Sequence, residues 1–134
     1  MELSHVVSEY LEPERMVPAV GQGALGIETR TGDVFTNEMV ASLAHQQTMT
    51  IVSAERAFLK RLEGGCQVPI GAHATMEGET LILTGMVADL EGVRLIRKEL
   101  RGNAQQPEIV GERLADVILE SGGAEILAEL YDNE

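Results

Sequence analysis

The sequence holds one cysteine, Cys66, in the stretch Leu62-Glu63-Gly64-Gly65-Cys66-Gln67-Val68-Pro69-Ile70-Gly71. Two glycines ahead of it remove the Cβ atoms that would shield the sulfur, and Pro69 fixes the backbone shortly after it. A thiol held this way is reachable and can serve as a reactive group. A lone cysteine also serves as a small buried apolar residue, and the local sequence leaves both readings open. The thiol-enzyme reading needs a base within hydrogen-bond reach of the sulfur. His73 is the natural test, but an extended segment between the two spans roughly 20 Å, which argues against contact unless the chain bends at Pro69 or Gly71. Glu55 and Glu63 are of a type suited to acid–base work, although exposed helix carboxylates are the simpler reading.

A second stretch, Gly21-Gln22-Gly23-Ala24-Leu25-Gly26, matches the G-x-G-x-x-G pattern letter for letter. That fingerprint must follow a buried strand and open a helix whose N-terminus holds a pyrophosphate. Here 25–30 reads as a short strand ending at Thr31-Gly32-Asp33, so a Gly-rich strand entry open to close approach is the better reading. His5, His45 and His73 fall in different elements without metal-ligand spacing, and no metal site is expected. His45 and His73 read as hydrogen-bonded structural or surface groups.

The elements that must position these residues follow from composition and period. The chain has 134 residues, 44% apolar and 3% aromatic, so its core must be aliphatic, with helices on a sheet. Ten basic and twenty-two acidic side chains give a formal net charge of -12, which repels phosphate backbones and anionic membrane surfaces. Neither nucleic acid nor membrane is an expected partner, and the apolar runs are too short to span a bilayer. One thiol and no secretory leader pattern point to a cytoplasmic setting.

Helical spacing predicts a modest helix over 36–45, capped by Thr36 or Asn37, and a stronger one over 48–62 stopped by Gly64 or Gly65. Cys66 would then sit just past a helix end, whose partial negative charge disfavours a thiolate while Lys60 and Arg61 favour it. The period then changes. Segments 68–76, 80–88 and 93–101, separated by Glu77-Gly78-Glu79 and Asp89-Leu90-Glu91-Gly92, predict an antiparallel meander. A helix follows with Pro107 in its first turn and Ile109, Val110, Leu114, Val117, Ile118 and Ser121 on its inner side; Gly122-Gly123 breaks it, and a last helix spans 124–131. The fold class expected is α+β: a small three-stranded antiparallel sheet with helices on one face, preceded by an incomplete α/β segment. Residues 46–134 form the self-consistent unit, and 1–45 look like the tail of something preceding Met1.

Three motifs, in order and spacing, resemble the porphobilinogen deaminase (hydroxymethylbilane synthase) family. They are Pro18-Ala19-Val20-Gly21-Gln22-Gly23-Ala24-Leu25-Gly26-Ile27-Glu28, Glu55-Arg56-Ala57-Phe58-Leu59, and the stretch around Cys66. The resemblance covers almost the whole chain and implies the C-terminal part alone: 1–45 as the end of the second domain with a return segment into the first, and 46–134 as the third, cofactor-anchoring domain. It implies that Cys66 carries a dipyrromethane cofactor through a thioether, priming a pyrrole chain built from porphobilinogen with loss of ammonia. A soft sulfur nucleophile suits that role. It also implies that Gln22, Gly23 and Ala24 border the active-site cleft as cofactor-binding residues; Arg56 is assigned a structural role.

The family's catalytic carboxylate and its arginines for acetate and propionate groups lie on domains this sequence does not contain. No catalytic residue is therefore expected in this chain. The chain alone is expected to be inactive, without bound dipyrromethane and prone to self-association, with porphobilinogen and the growing pyrrole chain engaged through the missing domains. The alternatives are a non-catalytic protein-interaction domain with a structural cysteine, and an independent thiol enzyme with a base beside Cys66.

Overall fold

The computed structural model describes residues 4–62 and 69–131. After a 3-10 turn at Ser4–Val6 come α1 (Val34–Ala41), α2 (Gln46–Arg61), β1 (Ile70–Glu77), β2 (Thr80–Ala88), β3 (Leu95–Asn103), α3 (Pro107–Ile118) and α4 (Ala124–Tyr131). The strands form one antiparallel sheet in the order β1-β2-β3, with Ala74 opposite Leu83 and Leu83 opposite Leu100. Alternation along the strands turns Ala72, Ala74, Leu81, Leu83 and Val87 into a core completed by Phe58, Leu114 and Ile118. This is the α+β arrangement expected, with α2 and α3 on one sheet face. Full burial of each large aliphatic or aromatic side chain in it contributes about 1.5–3 kcal/mol.

The helices approach closely because small residues stand where they meet. A Cβ on Gly111 of α3 would lie 2.3 Å from the carbonyl oxygen of Ala54 in α2, and one on Gly85 of β2 would lie 2.5 Å from the Phe58 ring. The inner side of α3 is accordingly Val110, Gly111, Leu114, Ala115 and Ile118. Ile109 and Val117, expected inside, are exposed. Ser121 is exposed too, its hydroxyl donating to the Val117 carbonyl at 2.7 Å. Close backbone contact outranks side-chain hydrophobicity in setting this face, and Gly122, at φ 104°, breaks the helix as expected.

The N-terminal third departs further from the sequence expectation. α1 starts at Val34, since the Asp33 carboxylate accepts the Thr36 N–H at 3.1 Å and displaces Thr36 and Asn37 as cap. It stops at Ala41, because His45 caps α2 by accepting the Thr48 N–H at 3.3 Å on Nδ1. Residues 25–30 join no sheet, and Leu25 is fully exposed. A strand needs a partner edge, and none among the described residues reaches this segment.

The β2–β3 hairpin is closed by Asp89, a buried carboxylate that accepts the N–H groups of Val93 at 2.8 Å and Arg94 at 3.0 Å and the Arg94 Nε–H at 3.1 Å. Arg94 also pairs with Glu129, tying α4 to the hairpin. Burial works against the charge on Asp89, yet hydrogen bonds from the Arg94 guanidinium and the two backbone N–H groups hold its carboxyl below the usual range.

Candidate functional site

The segment ahead of α1 lies along the free edge of β1. The Pro18 carbonyl accepts the Ala72 N–H at 3.1 Å, and Val20 packs against the core. Residues 19–24 then make consecutive turns, with the Gln22 N–H donating to the Ala19 carbonyl and the Ala24 N–H to the Gly21 carbonyl, each at 3.1 Å. Gly21 turns the chain at φ 68°, a left-handed conformation that favours glycine. An open cleft of about 800 Å³ lies between these turns, α2 and β1. Gln22, Gly23 and Ala24 line one side, and Ile51, Val52, Glu55 and His73 face them.

Gln22 is exposed; its Oε1 accepts the Ala19 N–H at 3.1 Å, and its side-chain NH₂ has no partner among the described residues. Apart from its two chain neighbours, no described residue stands within 4 Å of where a Cβ on Gly23 would be, so a ligand can approach that backbone closely.

Glu55 overturns its simpler reading as an exposed helix carboxylate. It is 5% exposed, its Oε2 accepting the Gly21 N–H at 2.8 Å and its Oε1 the Ala74 N–H at 2.9 Å. A signal for this was present in the sequence, since Ile51, Glu55, Phe58 and Leu62 share one helical stripe and place a carboxylate within an apolar face. Arg56, the next residue, is exposed at a groove between α2 and α3 beside Lys60, Glu108 and Glu112. His73 is half-buried at the cleft border, and His45 is the exposed cap of α2.

Cys66 lies outside the described residues, as do Glu63 and the expected helix stop at Gly64 and Gly65. The ends of its segment are fixed. Leu62 is buried in the core, its N–H donating to the Phe58 carbonyl at 3.2 Å. On the other side the Pro69 carbonyl accepts the Ala88 N–H at 3.0 Å, where β1 enters the sheet. Among the described residues no group of three or more His, Cys, Asp or Glu side chains is placed to hold a metal, and no helix is long and apolar enough to cross a membrane.

Comparison with known proteins decides the family. Residues 49–120 match the family model for the C-terminal domain of porphobilinogen deaminase, and residues 1–38 match the model for its dipyromethane cofactor binding domain. The chain belongs to the porphobilinogen deaminase family. It is 50% identical over 125 residues to the porphobilinogen deaminase of Synechococcus sp. (strain RCC307), covering 93% of this chain and 39% of that protein. It is 48% identical over 132 residues to the porphobilinogen deaminase of Pelobacter propionicus, covering 98% of this chain and 43% of that protein. The chain thus spans about two-fifths of the length of the curated relatives it matches.

The match described by the dipyromethane cofactor contains Gln22, Gly23 and Ala24, whereas Cys66 falls within the C-terminal match. The cleft suits the flat rings of such a cofactor, with an open backbone at Gly23 and apolar walls at Ile51 and Val52. It does not suit the acid side chains, because no Lys or Arg is among the described residues that line it.

Proposed function

We propose that this deaminase-family chain is the C-terminal part of a hydroxymethylbilane synthase, a cytoplasmic transferase that joins porphobilinogen units into a linear tetrapyrrole with release of ammonia. Cys66 holds the dipyrromethane primer through a thioether, and Gln22, Gly23 and Ala24 border it. The observation that carries this reading is the order of the matches: the turn of residues 19–24 lies in the cofactor-binding match, and Cys66 follows it in the C-terminal match, between the fixed points Leu62 and Pro69. When bound, the cofactor supplies the terminal pyrrole carbon to which further units are joined. The sulfur acts as an anchor, and the Gln22 NH₂ with the open Gly23 backbone offers polar groups at the border of the cleft.

The charge distribution separates anchoring from substrate binding. At a net charge of -12, this chain is a poor sole binder for a growing polyanion, so the cationic cleft lies on the remainder of the enzyme. The chain alone therefore makes no hydroxymethylbilane and gains activity only when joined to that remainder. Assaying porphobilinogen consumption by the 134-residue chain and by the full-length enzyme tests this. Turnover by the short chain, or inactivity of the full-length enzyme, contradicts it.

In isolation the chain self-associates. Val34, Phe35, Met39 and Leu43 around α1 are exposed, and α1 has no buried residue. Large apolar side chains exposed in this number are covered in a stable assembly.

A further inference from the structure

We propose that Glu55 is a positioning residue for the pyrrole-joining reaction, a clasp that sets the turn carrying Gln22, Gly23 and Ala24 at a fixed height against β1; this rests on the function proposed above. The segment before α1 and the strand after Cys66 meet along one edge. Pro18 holds the first contact through Ala72, and Glu55 holds the next by bridging Gly21 and Ala74 with one carboxylate. The α2 backbone, packed on α3 through Gly111 and on the sheet through Phe58, fixes where that carboxylate stands.

The chemistry explains why the residue is a glutamate. Both targets are N–H donors, so the bridging group must accept at both ends, and an ionised carboxylate does so with charge-assisted hydrogen bonds. A glutamine of the same size presents one oxygen and one NH₂, and the NH₂ must face a donor. An aspartate keeps the charge but is one methylene shorter, and it cannot reach Gly21 and Ala74 together from the same backbone position. Losing either arm frees the turn at Gly21, whose positive φ is otherwise held by this hydrogen bond and by the turn hydrogen bond from Ala24. Glu55 has no need to touch the reacting atoms. Its effect passes through the backbone to Gln22 and Gly23, and small misplacements of that kind slow a reaction that depends on orientation.

The test uses the full-length enzyme as wild type, Glu55→Gln and Glu55→Asp, with turnover expressed per folded molecule carrying the dipyrrole mass adduct. Both variants are expected to lose kcat by about 10- to 100-fold while KM stays within about twofold. Hydrogen exchange is expected to accelerate at Gly21 and its turn and to remain unchanged in α3. Wild-type kcat per loaded molecule in both variants overturns the proposal, as does unaltered exchange at Gly21. If neither variant folds, wild-type exchange decides: protection of the Gly21 amide comparable with Ala72 supports the clasp, and exchange as fast as at Gly23 overturns it. A wild-type enzyme without any adduct refutes instead the tethering function on which this inference rests.

Discussion

Gly111 lies directly against Ala54, so close that a Cβ on Gly111 would stand 2.3 Å from the Ala54 carbonyl oxygen. The next atoms are the backbone N of Phe58 at 2.8 Å and the Ala57 Cβ at 2.9 Å, and none is the free end of a flexible side chain. Gly111→Ala is therefore expected to push α3 away from α2 and destabilise the domain by at least about 1–3 kcal/mol. Alanine is the better helix former, so a purely local effect would have the opposite sign. Chemical denaturation of the two proteins measures it; equal or greater stability of the variant removes the close crossing from this account.

Asp89 gives the C-terminal domain an acid-sensitive clasp. Its carboxyl and that of Glu129 are both held below their usual values of 3.8 and 4.5; burial opposes this at each, and Arg94 supplies hydrogen bonds and charge in favour. A lowered folded value means that the unfolded chain takes up protons first. The stabilisation is complete at neutral pH and is lost as pH falls below those ordinary values and through the folded ones. Asp89→Asn is expected to lower the melting temperature at neutral pH and to show a smaller further drop between about pH 5 and pH 3. Parallel pH curves for the two proteins would show that Asp89 does not act as described.

The exposed apolar side chains on and after α1 predict concentration-dependent association of the isolated chain. Phe35→Asp together with Met39→Asp places charge on two exposed apolar positions and is expected to leave a monomer by sedimentation velocity. Association that survives both substitutions places the contact elsewhere.

Much of the C-terminal unit was legible because its signals were periodic and local. Alternation in 80–88, the Gly78 turn and Pro107 each point to the element observed. The N-terminal third was harder to read, since 25–30 has strand-like composition but no pairing edge among the described residues. The inner face of α3 is legible in part: Val110, Leu114 and Ile118 are buried as expected, but Gly111 and Ala115 carry little hydrophobic signal, and their small size matters only once α2 is in place. The consecutive residues Gln22, Gly23 and Ala24 line a cleft. Glu55 was undervalued because composition treats a helix carboxylate as solvated, whereas its stripe with Ile51, Phe58 and Leu62 turns it inward.

The tether itself is tested most directly by intact mass spectrometry of the full-length enzyme, wild type against Cys66→Ser, followed by peptide mapping. The account predicts a dipyrrole adduct on the wild-type protein, mapped to the peptide that contains Cys66, and none on the variant. An active wild-type enzyme with unmodified Cys66, or an adduct that persists in Cys66→Ser, would contradict it.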